Sequence, residues 1–350
     1  MPPAQPEPTG PIAFLARQAG TAAAFTALLD ALEASGEAVV VGALGTAQTA
    51  WAERASLTGD TFTDIEGGLE QGTRPRLLIT GTSGAPDDDA LSWRWAHDRG
   101  IPTVAFVDSW VNYAARFTAR QGGWVSPLPE VIAVIDEAAR RGMREAGLPD
   151  ERLRVLGSPA FDGLLARRTA IPSRAEGIEL LFASQPLVGR GLPAAWNEHA
   201  ALDLLLNALE TLDVGVPITL VLRRHPAEAE GVFDARLQPS RSGGLRLRVD
   251  ERVDRVEAIA SAHAVLGIVS MLQVEAQWLG RPALSIQPGG PAASDLLSLH
   301  DVPCVCDTAA LSAALTSVLG GNWSAPTAPP EALPRWLKLL TQRDAPAEAK

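Results

Sequence analysis

The chain has 350 residues, 46% of them hydrophobic and 20% charged, with a formal net charge of −11. That length exceeds one ordinary domain and carries enough apolar mass for two cores, and the acid excess sets aside a nucleic-acid binder, which needs a basic face. Of 30 basic residues only Lys338 and Lys350 are lysines, both near the C-terminus, so no lysine is placed for a Schiff base or a Walker-type phosphate loop.

Residues 1–10 read as a Pro-rich disordered tail without the basic and apolar regions of a signal peptide. Residues 11–16 form an apolar run of strand length. Arg17-Gln18-Ala19-Gly20 then turns into a helix over 21–34, stopped by Gly36, and 37–42 is the next strand. Strand, glycine-bearing turn, helix, strand is a right-handed βαβ unit. The pattern recurs with strands at 76–80, 102–107, 131–135 and 153–156 and helices at 88–99 and 137–146. Short apolar runs alternating with helices imply a parallel sheet covered on both faces. The text turns to Arg, Thr, Pro and Ser over 165–176, where a linker is placed.

A second α/β set follows. Strands are expected at 178–183, 217–222, 244–249, 264–269, 280–286 and around Cys304, and helices at 194–212, 256–262, 271–279, 311–319 and 334–342. The fold class is therefore α/β, with two Rossmann-like domains of parallel sheet expected to face each other across a cleft. The first spans 11–170 and the second 176–325, with a helix and tail over 326–350. No apolar run reaches the roughly 18 residues that a membrane span needs, which leaves peripheral contact as the membrane role open to the chain. Cys304 and Cys306 are expected to point to opposite faces of a strand and stay unpaired. They are too few for a structural zinc site, and they suggest a reduced, cytoplasmic compartment.

Open parallel sheets bind ligands outside the carboxyl ends of their strands. In the first half that rule selects Gln18 and Gly20, Thr82 and Ser83, and the segment from Asp108. Asp108 ends a buried strand, and Trp110, Tyr113 and Phe117 could wall a sugar, with Asn112 and Arg116 as polar contacts. The plainer alternative is that Trp110 and Phe117 are core residues and Asp108 caps a helix. For a general base the first choice is Asp108 and the second Glu137. Asp87-Asp88-Asp89 reads as a helix cap and first-turn set, not a metal site.

In the second half the rule selects Ser184 and Gln185, Arg223-Arg224-His225-Pro226, and the run from Ser270. Guanidinium groups suit phosphate, and an imidazole can assist. Ser270 is placed as an N-cap, so the amides of Met271 and Gln273 form a helix N-terminus that suits an anion, with Glu275 able to accept ribose hydroxyls. The plainer alternative is a capped helix whose Glu275 only opposes the macrodipole.

The run from Val265 through Gly280-Arg281-Pro282-Ala283-Leu284 resembles the C-terminal domain signature of GT-B glycosyltransferases and UDP-N-acetylglucosamine 2-epimerases, where a Ser- or Gly-led loop enters a helix carrying Glu-Ala. His225-Pro226 is similar to the His-Pro motif of bacterial sialyltransferases, and Gly157-Ser158-Pro159-Ala160-Phe161-Asp162 resembles a segment closing the first domain in the same superfamily. The segment Phe106–Phe117 looks like one seen in surface-polysaccharide proteins of this type. These motifs anchor most of residues 153–286. Where the epimerases usually carry Ser-Gly-Gly, this chain has Ser270-Met271-Leu272, which removes glycines that let backbone approach a diphosphate.

The resemblance implies a metal-independent GT-B glycosyltransferase of bacterial surface-glycan biosynthesis, with a nucleotide-sugar as substrate and no further cofactor. The second domain would hold the donor through Ser184, Gln185, Arg223, His225, Ser270, Met271, Gln273 and Glu275. The first would hold a glycan or lipid-linked acceptor through Gln18, Gly20, Thr82, Ser83, Trp110, Asn112 and Tyr113. Asp108 and His225 would carry the chemistry, and hinge closure over 165–176 would exclude water. The rivals are a UDP-N-acetylhexosamine 2-epimerase and a non-catalytic binding subunit. Oligomeric state is left open.

Overall fold

In the computed structural model the strands form where apolar runs are short and bounded by turns, and the helices that follow Asp136, Asn197, Asp254, Ser270 and Asp307 open on a side-chain cap. The structure describes residues 10–83, 87–173, 175, 177–188, 197–212, 214–225, 228–237, 244–290, 300–326, 328–329 and 331–341. Most of the N-terminal tail, Glu176, Ala194, Pro226, Gln342 and the C-terminal tail lie outside them.

The chain divides into two units, one of residues 1–163 with 329–350 and the other of 164–328. The first unit begins β1 (Ile12–Ala16), α1 (Ala19–Ala34), β2 (Val39–Leu44), α2 (Ala47–Ala50), β3 (Leu57–Gly59) and α3 (Phe62–Gln71). It continues β4 (Leu77–Thr80), α4 (Asp87–Asp98), β5 (Thr103–Val107), β6 (Val131–Val134), α5 (Glu137–Glu145), β7 (Leu153–Val155) and α6 (Pro159–Leu165), which runs over the boundary. Among the described residues its sheet has seven parallel strands in the order β3-β2-β1-β4-β5-β6-β7. β1 and β5 are buried at every position, as strands covered on both faces must be. No element was expected over 43–75, yet α2, β3 and α3 lie there. β3 is three residues long and partly exposed, too short to show a period. The capping box of Thr61 and Asp64 that opens α3 was the readable signal.

The last helix, α11 (Leu333–Thr341), belongs to this first unit. Its Trp336 is fully buried, with its ring 5.9 Å from Phe25 and 5.5 Å from Phe106, and its indole N–H donates to the Gly157 carbonyl at 3.0 Å. Asp162 accepts from the backbone N–H groups of Ala332 and Leu333, at 2.8 and 2.6 Å, and so starts the helix. The Gly157-to-Asp162 motif is thus the seat on which α11 docks.

The second unit contains β8 (Ile178–Ala183), α7 (Glu198–Thr211), β9 (Ile218–Arg223), β10 (Leu245–Val249), α8 (Arg255–Ser261) and β11 (Ala264–Gly267). There follow α9 (Met271–Trp278), β12 (Ala283–Ile286), β13 (Cys304–Val305) and α10 (Thr308–Leu319). Its six described strands are parallel in the order β10-β9-β8-β11-β12-β13. The core joins Leu180, Phe182, Leu220 and Leu266 to Leu202, Leu205 and Leu209 of α7 and to Leu311 and Leu315 of α10. Each buried leucine contributes about 1.5–3 kcal/mol of transfer free energy.

Two features lie at its margins. Arg281 is fully buried and donates to the carbonyls of Thr169, Ala170 and Ala260, at 2.8–2.9 Å, and to Thr169 Oγ1. Part of the expected linker is therefore strapped to the second unit. Cys304 and Cys306 correct the expected opposition, because side chains two residues apart on a strand share a face. Burial first, then the neighbouring Cys306 thiol, pushes Cys304 up to about 11. Among the described residues no helix is long and apolar enough to cross a membrane.

Candidate functional site

In the first unit the strand order reverses between β1 and β4, so the loops after these strands flank the switch point where such sheets bind ligands. β1 runs into Arg17-Gln18-Ala19-Gly20, β4 into Gly81-Thr82-Ser83, and the neighbouring β5 into Asp108. A polar network ties these loops together. The Asp108 carboxylate accepts from Thr21 Oγ1 at 2.9 Å and faces the Arg116 guanidinium at 3.3 Å. Arg116, buried itself, donates at 2.9 Å to both the carbonyl and the hydroxyl of Thr82. Thr21 lies so close to Gly81 that a Cβ on that residue would collide with it, which is why the turn after β4 begins with glycine.

Beside this network, Ser83 donates its backbone N–H and its hydroxyl to one oxygen of Asp89, each at 2.8 Å. Burial drives the Asp89 carboxyl up to about 6, and the two Ser83 hydrogen bonds only partly oppose that. The three successive aspartates do more than open α4. Asp87 pairs with Arg120 at 2.6 Å, Asp88 with Arg17, and Asp89 with the Ser83 loop. Nothing in the bare run of three distinguishes Asp89, so this carboxylate was not singled out from the sequence.

Of the acceptor candidates, Gln18, Gly20 and Asn112 are exposed, while Thr82 and Ser83 are buried. Asn112 sits at φ 61°, a left-handed conformation that asparagine tolerates better than most residues. Trp110 does not stand as an open wall. It is 3% exposed, stacked on Phe161 at 6.1 Å and 7°, and its indole N–H donates to Asp136 at 2.8 Å. Asp136 also caps α5, accepting from Ala139 N–H at 2.7 Å, so one carboxylate fixes both. Phe117 stacks on Trp93 at 5.5 Å. Trp110 and Phe117 are buried, as the plainer alternative expects, but the helix it places after Asp108 is loop apart from a single 3-10 turn (Ala114–Arg116). Tyr113 is half-buried with its ring against Gly142. Glu137 is largely exposed at the start of α5.

The second unit has its switch point between β8 and β11. Gln185, just after β8, accepts from Val269 N–H at 2.7 Å and donates back to the Val269 carbonyl, so one amide side chain zips the two loops. Ser184 donates to Glu228 at 2.6 Å, and the other Glu228 oxygen accepts from His225 N–H at 2.6 Å. Ser184 and Gln185 thus fasten the loops on either side of them. Arg223 turns away, donating to Asp250 at 2.5 Å and to the carbonyls of Arg252 and Val253. Burial alone would raise Asp250, but hydrogen bonds from Arg252 and Arg223 outweigh it and hold this carboxyl below the usual range. That leaves Arg224 half-buried and His225 exposed on the loop.

Ser270 is the cap expected from the sequence. Its Oγ accepts from Leu272 N–H at 3.2 Å, and Gln273 accepts from Ser270 N–H at 2.9 Å, completing a capping box. Gln273 is fully buried and also donates to the Leu284 carbonyl at 2.8 Å, so it holds the helix end rather than lining a surface. A Cβ on Gly267 would lie 3.0 Å from the Ala183 carbonyl and 3.2 Å from Gln273, so a larger residue there would push its neighbours apart by a few tenths of an ångström. Met271 is half-buried at the first turn. Glu275 is buried and accepts from Arg255 Nε at 2.8 Å, a bond that raises the Arg255 guanidinium. Sequence reading missed Glu228, Asp250 and Arg255, because each acts through a partner distant along the chain.

No protein-family model and no curated protein matches the chain. Solved structures match it along nearly its whole length. The UDP-GlcNAc 2-epimerase from Methanocaldococcus jannaschii aligns with a TM-score of 0.68 at 12% identity, covering 95% of this chain and 99% of that one. The UDP-GlcNAc 2-epimerase from Neisseria meningitidis, bound to UDP-GlcNAc, aligns at 0.63 with 14% identity, covering 95% and 99%. Acinetobacter baumannii MurG aligns at 0.60 with 12% identity, covering 95% and 100%. At these identities the likeness is one of fold: the chain has the GT-B architecture of two Rossmann-like domains that it shares with these proteins.

Proposed function

We propose that the second unit binds the diphosphate of a nucleotide-activated sugar at the carboxyl edge of its sheet, and that the chain transfers that sugar to an acceptor hydroxyl held by the first unit. The observation that carries this reading is the fastening of three strand-end loops at the second switch point. Gln185 fixes the Ser270 loop, and Ser184 reaches the His225 loop through Glu228. Phosphate oxygens would face the N-terminus of α9 at Met271, ahead of the amides that Ser270 caps, with the Arg224 guanidinium and the His225 imidazole beside them. Arg223 supports that loop from behind through Asp250. Glu275 would accept from ribose.

In the first unit Asp108 would take the acceptor proton. Two donors engage it, which leaves part of the roughly four lone-pair sites of a carboxylate for a substrate hydroxyl. The charge on the departing diphosphate would be met by the helix N-terminus and the cationic loop, without a metal. A cytoplasmic step in bacterial surface-glycan synthesis fits this chemistry.

The test is thermal stabilisation by UDP, CMP, CDP, GDP and TDP, with and without magnesium. The expected result is a shift with one nucleotide, indifferent to magnesium and lost in His225→Ala and Ser270→Ala. No shift at millimolar concentration with any of them would overturn the reading and favour a non-catalytic subunit. A 2-epimerase is the second reading, favoured by the likeness to the Neisseria meningitidis epimerase bound to UDP-GlcNAc. It predicts that proton NMR sees the C2 configuration of UDP-GlcNAc change with no acceptor present, and a transferase leaves that spectrum unchanged.

A further inference from the structure

The first unit carries a cavity of about 330 Å³ that none of the candidate residues above lines. One wall is a stripe of α4, in which Asp87, Ala90, Leu91 and Arg94 recur at helical spacing. The opposite wall is the loop that follows the 3-10 turn, and this loop is built as a small hairpin. Thr118 bridges Trp124, Ala119 N–H donates to the Gly123 carbonyl at 2.9 Å, and Val125 N–H donates to the Phe117 carbonyl at 2.8 Å. Phe117, stacked on buried Trp93, anchors its base in the core.

The hairpin presents Trp124 outward. Trp124 is 39% exposed and Leu91 opposite is 45% exposed. With Val111 they are the exposed large hydrophobics of this unit among the described residues, so two of the three sit on one cavity. The rim is polar and of both signs: Asp87 and Arg120 are paired at 2.6 Å, and Arg94 donates to the Ser126 carbonyl at 3.1 Å. Both walls follow strands, β4 and β5, at the end of the sheet where the Thr82 and Asp108 loops emerge.

A cavity lined by an indole together with a carboxylate and two guanidinium groups matches the two-sidedness of a sugar ring, which offers C–H groups on one face and hydroxyls at its edge. The geometry points to this cavity as an acceptor subsite for a neutral glycan, with Trp124 as the platform under a pyranose ring and Asp87, Arg94 and Arg120 gripping its hydroxyls. This rests on the reading of the chain as a sugar-transferring enzyme, and it assigns the acceptor's glycan to a place apart from Asp108. Of the three charged groups on the rim, Asp87 and Arg120 are paired with each other and Arg94 is held on the Ser126 carbonyl, so each meets a neutral hydroxyl from a fixed position.

The test is saturation-transfer NMR on the full chain with chitobiose, maltotriose and cellotriose, followed by titration of whichever gives signal. The expected result is saturation of pyranose C–H protons by at least one of them, with affinity falling about tenfold in Trp124→Ala and largely kept in Trp124→Phe. Nucleotide-induced stabilisation is measured on the same variants and should not change. Absence of saturation with all three sugars, or equal affinity in Trp124→Ala, overturns the subsite. So does an octyl glucoside whose alkyl protons alone take up saturation. If the sugars bind through Trp124 but no nucleotide stabilises the protein, the subsite stands and the transferase reading falls.

Discussion

The two switch points share a strand order and differ in what their charged groups do. In the first unit Arg116, Asp108, Thr21 and Thr82 close on one another, and Asp89 holds the Ser83 loop from below. In the second unit a neutral amide, Gln185, zips its loop to Val269, the Glu228 carboxylate joins Ser184 to the His225 backbone, and Arg223 pairs with Asp250, while Arg224 is half-buried and His225 exposed. The same strand order around the two switch points therefore carries an ionic cluster centred on Arg116 and Asp108 in one unit and a clasp of amide and carboxylate between loops in the other. A Rossmann-like sheet fixes where a site can be. A fold shared by two such edges does not settle which side chains each commits to internal pairing.

The sharpest way to break this contrast is Arg116→Ala. It strands the Asp108 carboxylate, 16% exposed, without its cation, and loss of one partner from such a pair costs about 3–5 kcal/mol. Urea unfolding should show that loss, and a cost below about 1 kcal/mol would mean the first edge is no more committed than the second. Next comes Asp89. The folded protein holds its proton up to about pH 6 where the unfolded chain releases it near 3.8, so its stabilisation is full below the lower value and is lost as pH rises through the upper one. Asp89→Asn should flatten that fall, worth at most on the order of 3 kcal/mol, and stability measured from pH 4 to 7 would show it. A wild-type curve flat over that window would remove the titrating carboxyl.

Smaller effects sharpen the other side. Ser270→Ala removes a helix cap and should cost about 1 kcal/mol while abolishing nucleotide stabilisation. The two readouts together separate a cap from a cap that also binds. Smallest is Glu137→Gln. With a side chain 69% exposed, it should move stability by less than about 0.5 kcal/mol and leave turnover intact, whereas lost turnover would make Glu137, not Asp108, the base.

Much of this architecture could be read from the chain. The apolar strands and the Gly and Ser punctuation placed β1, β5, β8 and β11 within a few residues, and Ser270 stands where the capping signal put it. What stayed hidden was local shortness and distant partnership. β3 is too brief for a period, Trp110 was drawn toward a ligand because no spacing shows that Phe161 and Asp136 claim it, and Glu228 is one unremarkable acid among several until Ser184 meets it. Strand ends name loops, but only packing tells which side chains in them are already engaged.

The docking of Trp336 against Phe25 and Phe106 has an effect on the order of assembly. The second unit is contiguous in the chain and lies between the two segments of the first. During synthesis, with domains folding as units while the chain emerges at about 5–20 residues per second, residues 164–328 can finish folding while the older unit still waits for its closing helix. The N-terminal unit is thus begun first and completed last, and until α11 emerges the aromatic seat on Phe25 and Phe106 stands open to whatever factor attends the growing chain.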